Sequence, residues 1–371
     1  MVRALTATGL VALTLLPFVA SAPSPFVTHV SLPITKRGSS SVSAKAIVDR
    51  DLARLAHYNS RSLTKRDVAG TITNGTVTNL DVTYVAPVTI CNTTYNLIVD
   101  TGSSNTWAGV FNRTDTSCAA TSGQSFSISY GSGSANGTQW SGAVSFAGLT
   151  VANQSFGVAS STVGFMNIST NPTVDGIIGF GPEDLTLLTV SGALTVPTFM
   201  ENLKSQGTID TNSLGVYFRP LTGSNTDEAN GQLSIGGPDA SKYTGTLRYF
   251  PATAVAPYSM YWGLSFISVQ YGSGLSGELP VYSAIVDTGT TLIYIPQSAY
   301  KQFLKATGGA TDSSSGLAKF TTRPTENFTI TISGVAFPLT PDQYLVPEAQ
   351  YAYYGLDVGS YYAWINNGGT L

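Results

Sequence analysis

Short apolar stretches interrupted by polar positions recur through most of the chain. They fall at 82–85, 95–99, 126–130, 214–218, 261–269 and 328–332, and Gly, Asn, Ser and Pro separate them. Runs of that length between turn formers predict strands joined by tight connections. Helical spacing is rare. It predicts helices over 195–205, entered after Pro197, and over 297–307, and a basic amphipathic helix over 43–61. The pattern is that of a mostly β protein.

The one long apolar run lies at the extreme N-terminus. Arg3, the apolar residues 10–19 and Ala20-Ser21-Ala22 read as the start, middle and cleavage site of a secretory signal over 1–22. The run is short for a membrane span. Lys36-Arg37 and Lys65-Arg66 are dibasic pairs of the kind cut during secretion, so 23–66 reads as a propeptide and Asp67 as the mature start. Seven N-x-S/T sequons begin at Asn74, Asn92, Asn112, Asn136, Asn153, Asn167 and Asn327, all beyond that segment, and point to a glycoprotein.

Charge sharpens this picture. Charged residues are 11% of 371, against roughly 25% in an average soluble chain. Residues 1–66 hold nine of the 18 basic and two of the 21 acidic residues, which leaves a net of about −10 for 67–371. No basic cluster follows residue 66, so nucleic acid is not an expected partner. His29 and His57 both precede residue 67, so a mature chain has no histidine. That excludes Ser–His and Cys–His nucleophilic catalysis and His-ligated zinc; no metal and no cofactor are expected. The two cysteines, Cys91 and Cys118, can close one disulfide loop in an oxidising compartment; two buried thiols are the alternative.

The remaining titratable chemistry is carboxylate, and one repeat concentrates it. Residues 96–104, NLIVDTGSS, are echoed 187 positions later by 283–291, SAIVDTGTT. A single D-T-G is an ordinary turn. Two copies, each leaving an apolar strand and followed by two hydroxyl residues, suggest two related lobes, with a boundary near Pro251. The hydroxyls of Ser103 and Thr290 can bond the carboxylates, and glycine lets another backbone approach. Asp100 and Asp287 brought face to face could not both ionise cheaply. They would hold one proton between them and supply a general base and a general acid together.

With D-T-G-S-S-N-T-W at 100–107, I-V-D-T-G-T-T at 285–291 and D-G-I-I-G-F-G at 175–181, the sequence resembles a pepsin-like aspartic protease over nearly all of 40–371. It looks most like the secreted polyporopepsin type of basidiomycete fungi. The resemblance implies two β-rich lobes, an N-terminal one over 67–251 and a C-terminal one over 252–371, with the active site in the cleft between them. It implies Asp100 and Asp287 as the catalytic pair and Thr101 and Thr288 as the residues that lock the two loops together. Residues 128–134 resemble the flap that closes over bound peptide, with Tyr130 near its tip and Trp107 as its hydrogen-bond partner. Substrate contacts are then expected from Tyr130, Gly131, Ser132, Gly102, Gly289 and Thr290. A second Y-G-S-G at 271–274 reads as a structural turn, and Asp175 as part of a supporting segment. Tyr261-Trp262 is either core or a pair near the cleft.

Family members with a disulfide in the first lobe place both cysteines after the first D-T-G, whereas Cys91 precedes it. In the first lobe the apolar-apolar-Gly segment lies 75 residues after Asp100. Its counterpart is expected near or beyond residue 362, where 361–369 reads as a lead-in only, so the C-lobe is expected to be incomplete. An incomplete lobe carries an unpaired sheet edge and is expected not to hold Asp287 within reach of Asp100.

The expected activity is that of a secreted aspartic endopeptidase, made as a zymogen, that cuts polypeptides at acid pH. Its own propeptide is the expected intramolecular inhibitor, and the expected state is a monomer with no membrane partner. The alternative is an inactive pepsin-like protein that binds peptide. A glycan-binding β module is a third reading, supported only by the aromatic content and fold class.

Overall fold

A computed structural model describes residues 30–37, 43–60, 83–109, 117–131, 133–164, 174–219, 228–273 and 279–369. The signal at 1–22, Lys65-Arg66, Asp67, Ser132 and the sequons at Asn74, Asn112 and Asn167 lie outside the described residues.

The first half is built on one sheet of ten strands. They are β1 (Val30–Arg37), β2 (Thr83–Ile90), β3 (Thr93–Asp100), β4 (Trp107–Ala108), β5 (Ala119–Tyr130), β6 (Gly133–Phe146), β7 (Leu149–Val163), β8 (Gly176–Gly179), β9 (Leu214–Phe218) and β10 (Glu228–Ile235). β3 is apolar at alternate positions and runs into the first D-T-G. It is paired on both sides, antiparallel to β2 and parallel to β8, with Asp100 opposite Gly179. That double pairing buries Leu97 and Val99 completely. Helix α2 (Phe199–Ser205) starts four residues later than its pattern predicts. Thr198 accepts from the Glu201 N–H while the Glu201 side chain bonds back to the Thr198 N–H, and this capping box sets the start.

The second half has a four-stranded sheet of β11 (Gly263–Tyr271), β12 (Leu279–Ile285), β16 (Phe328–Ile332) and β17 (Val335–Leu339). Two small sheets join β13 (Ile293–Ile295) with β19 (Ile365–Asn367), and β14 (Ala310–Thr311) and β15 (Ala318–Phe320) with β18 (Tyr361–Ala363). Helix α3 (Gln297–Thr307) has the predicted bounds and buries Ala299, Tyr300 and Phe303. β12, which runs into the second D-T-G, pairs with β11 alone among the described residues. An apolar cavity of about 430 Å³ lies along Ser283–Asp287. The two halves of the repeat are therefore supported unequally.

Two described stretches ahead of residue 67, 30–37 and 43–60, are part of this architecture. β1 sits inside the large sheet between β2 and β10, and Lys36 is paired in register with both Tyr84 and Glu228. The dibasic pair at 36–37 is thus held in a ladder. Helix α1 (Ala44–Ser60) matches the amphipathic pattern and buries Ala44, Ile47, Val48, Asp51, Arg54 and Tyr58, one stripe at spacings of three and four. Cys91 and Cys118 form a disulfide, which ties the β2–β3 turn to the start of β5.

Candidate active site

The two D-T-G loops face each other. The Thr101 N–H donates to Thr288 Oγ1 at 3.0 Å, and the Thr288 N–H donates to Thr101 Oγ1 at the same distance. Each hydroxyl then donates onward to the opposite strand, Thr101 to the Val286 carbonyl at 3.0 Å and Thr288 to the Val99 carbonyl at 2.8 Å. Each hydroxyl both accepts and donates in this crossing, so the cost of burying the two threonines is offset by hydrogen bonds. The C-lobe was expected to leave Asp287 out of reach, and the structure corrects that. The reciprocal bonds attach the second loop to the well-supported first one, whatever flanks β12.

Asp100 is 1% exposed. Its Oδ1 accepts the Gly102 N–H at 3.0 Å, and its Oδ2 accepts Ser103 Oγ at 2.6 Å. Asp287 repeats the pattern, with the Gly289 N–H on Oδ1 at 2.9 Å and Thr290 Oγ1 on Oδ2. Glycine is required between them. A Cβ on Gly102 would stand 2.5 Å from Asp287 Oδ1, and one on Gly289 would stand 2.6 Å from Asp100 Oδ1. Each carboxylate thus rests against the opposite loop's glycine, which is how the pair is brought together.

Helix α1 fills the space over the pair. Arg54 Nη2 lies 3.0 Å from Asp100 Oδ1 and 3.0 Å from both Asp287 oxygens, and Nε lies 3.2 Å from Asp287 Oδ2. Tyr58 OH donates to Asp287 Oδ2 at 2.7 Å, and its ring packs edge-on against Tyr261, centroids 4.9 Å apart. One turn earlier, Asp51 Oδ2 accepts the N–H groups of Thr291 at 2.9 Å and Leu292 at 3.0 Å, and Arg50 donates to Asp51 Oδ1. The sequence pattern anticipated a basic helix but not the contacts of Arg50, Asp51, Arg54 and Tyr58. Their signal was a charged Asp51 and Arg54 on the otherwise apolar stripe of α1.

The environment splits the two carboxyls. Burial, with the nearby charge of Asp287, pushes Asp100 above the ordinary carboxylate range although Arg54 opposes it. Burial raises Asp287 too, but Arg54 and the bonds from Thr290, Tyr58 and Gly289 outweigh it and hold Asp287 low. Arg54 touches both groups, and the difference lies in its bonding. It makes several bonds to Asp287 and one to Asp100. In this closed arrangement Asp287 is thus the more acidic of the two.

Tyr130 lies at the end of β5 and accepts Trp107 Nε1–H at 2.7 Å, as the flap resemblance implies. Burial raises its hydroxyl well above the usual value. Gly131 packs on the α1 backbone, with Arg54 Cα only 2.1 Å from where a Cβ would stand, so the end of β5 lies against the helix. Asp175 bonds the Asn96 N–H and supports β3 from behind rather than facing the pair. Tyr261 is core, and Trp262 Nε1 donates across the lobes to the Phe180 carbonyl at 2.8 Å. Among the described residues no cluster of His, Cys, Asp and Glu could hold a metal ion.

The chain is similar to known proteins along most of its length. The family model for eukaryotic aspartyl protease matches residues 83–360. Polyporopepsin of Irpex lacteus is 43% identical over 281 residues, covering 73% of this chain and 79% of that protein. Rat (Rattus norvegicus) cathepsin E is 32% identical, covering 72% and 68%. Gastricsin of Macaca fuscata fuscata is 30% identical, covering 75% and 74%. The crystal structure of the aspartic proteinase from Irpex lacteus superposes with a TM-score of 0.72 at 35% identity, over 92% of this chain and 87% of that one. The chain belongs to the eukaryotic aspartyl proteases, the pepsin-like aspartic endopeptidases.

Proposed function

We propose that this chain is the zymogen of a secreted endopeptidase that cuts polypeptides at acid pH with Asp100 and Asp287. The observation that carries the reading is Arg54. A guanidinium bonded to both carboxylates stands where a water would have to stand to be activated by them. The segment 23–66 is then a propeptide that inhibits by occupancy, and the signal-like residues 1–22 direct export.

With Arg54 gone, two carboxyls this close retain one proton. The ionised one takes a proton from water as the oxygen bonds to the scissile carbonyl carbon, and the protonated one gives its proton to the carbonyl oxygen. The tetrahedral carbon then collapses, the C–N bond breaks, and the amide nitrogen leaves with a proton returned by the pair. Tyr130, Gly131 and Ser132 of the flap, with Gly102, Gly289 and Thr290, are proposed to align the peptide. Ser103 and Thr290 bond the carboxylates, and Trp107 holds Tyr130.

Acid proteolysis of a denatured protein, before and after cleavage at Lys65-Arg66, tests the reading. Digestion that appears after the cut and is abolished by pepstatin supports it. A cut, folded chain that digests nothing between pH 2 and pH 6 refutes it.

A further inference from the structure

Four of the N-x-S/T sequons, at Asn92, Asn136, Asn153 and Asn327, lie among the described residues, and their settings differ. Asn92 is exposed in the β2–β3 turn. Its Nδ2 donates to Ser117 Oγ at 3.0 Å. That bond needs one of the two amide hydrogens and survives replacement of the other by a sugar. Asn153 is exposed on β7, while Val151 and Gln154 beside it are buried. These two sequons flank one position of β6. Ala143 accepts the Cys91 N–H at 2.7 Å on one side, and on the other it is the irregular position opposite Ala152 and Asn153. Asn327 is exposed just ahead of β16, where its carbonyl accepts the Gly272 N–H at 3.0 Å.

All three stand at the end of their sheet away from the carboxylates. From Asn92 the chain runs along β3 to Asp100, about 26 Å of extended backbone. In the second half, Gly263 of β11 pairs with Ile285, next to the second D-T-G, whereas Tyr271 pairs with Phe328. The length of β11, again about 26 Å, separates Asn327 from that loop. Asn136 is different. It is half-buried in β6, about 10 Å along the strand from Gly133, where β6 leaves the flap. It pairs with Ser127 on one side and Ser161 on the other, and its Oδ1 accepts Ser127 Oγ at 2.6 Å. Sugar transfer acts on the chain before its strands pair. An oligosaccharide on Asn136 would have to be fitted between β5 and β7 as the hairpin closes.

We propose that Asn92, Asn153 and Asn327 carry N-linked glycans in the folded protein and that Asn136 does not. Both lobes are then covered by sugar at their far ends, and the flap stays bare. The proposal rests on the export reading above. In the transfer, the asparagine Nδ2 attacks the anomeric carbon of an oligosaccharide held on a lipid pyrophosphate. The N–C bond forms, the C–O bond to the pyrophosphate breaks, the lipid pyrophosphate leaves and the amide gives up one proton. The hydroxyl residues two places on, Thr94, Ser155 and Thr329, complete the three acceptor sites.

The test expresses the wild-type chain with residues 1–22 in a eukaryotic secretory host. Soluble chain is collected from the medium and from the lumen of the secretory membranes. Peptide N-glycosidase in heavy-oxygen water then turns each sugar-bearing asparagine into a labelled aspartate, which peptide mass spectrometry locates. Label in most molecules at Asn92, Asn153 and Asn327, with several-fold less at Asn136, is the expected result. A bare asparagine at any of the three, or equal label at Asn136, overturns the proposal and leaves the export reading intact. Chain found only in the cytosol refutes the export reading, and the proposal falls with it.

Discussion

Thr101 and Thr288 each donate a backbone N–H to the other's hydroxyl, at 3.0 Å in both directions. The two loops that carry the carboxylates are therefore one hydrogen-bonded unit. Replacing either threonine by valine keeps the volume and leaves an N–H and a C=O unpaired. Such orphans cost about 1–3 kcal/mol each when buried. Thr288→Val should lower the melting temperature and reduce proteolysis by at least 10-fold, whereas Thr288→Ser should retain most of both. A Thr288→Val enzyme with unchanged turnover would show that the loops are held by other contacts.

Asp100→Asn and Asp287→Asn should each cut the rate of peptide cleavage at least 10³-fold, since neither carboxyl alone supplies both the base and the acid. Folding should survive, because asparagine can still accept the N–H of Gly102 or Gly289. Circular dichroism and a peptide assay on the matured variants check both halves of the expectation.

Arg54→Gln removes the charge that holds the closed arrangement but keeps a comparable length. Asp100 and Asp287 then face each other without a cation, and the helix loses its tightest contact. The uncut Arg54→Gln chain should cleave peptide at pH 5, where the uncut wild type stays silent. Equal silence from both would place inhibition in the apolar stripe of α1 instead.

The pH of release follows from the directions of the carboxyl shifts. Arginine does not deprotonate in this range, so opening must come from the acids. Asp287 is held low in the closed state, so it stabilises closure above its ordinary value, and that contribution is lost as pH falls through the depressed value. Asp100 and Asp51 are raised in the closed state, mainly by burial, so their protonation favours closure as pH falls. The uncut chain should therefore remain closed at pH 5 and open only below about pH 4, the ordinary carboxylate value. Tyrosine and tryptophan fluorescence during acid titration reads this directly. Full opening at pH 6 would mean that the Arg54–Asp287 contact is not the latch.

Trp107 anchors Tyr130 through one hydrogen bond at 2.7 Å. Tyr130→Phe should lower kcat/KM by a few-fold and lower the melting temperature modestly, because the buried Trp107 Nε1–H loses this acceptor at a cost of about 1–3 kcal/mol. Tyr130→Ala, which also empties buried volume beside Phe126 and Ile128, should cost more in both. Kinetics and thermal melts on the two variants separate alignment from packing.

Strand alternation, the α3 bounds and the repeated D-T-G were legible in the linear chain because each is a local matter. Side-chain period, turn chemistry and capping act within a few residues. The repeat also named both carboxylates, since duplicated chemistry survives in sequence as duplicated text. What the chain order could not show was contact across long separations. Arg54 reaches Asp287 across 233 positions and Asp51 reaches Leu292 across 241. Their place on the apolar stripe of α1 marks these charges as buried, but nothing local names the carboxylate or the N–H groups they meet. That Thr101 and Thr288 lock the two loops was an expectation from the resemblance and not from any local pattern. β12 has β11 as its one strand neighbour among the described residues, and the threonine crossing that compensates exists only once the lobes have packed. Local free energies write themselves into spacing, whereas the closeness of two carboxylates, and the cation that makes it tolerable, is decided by tertiary packing.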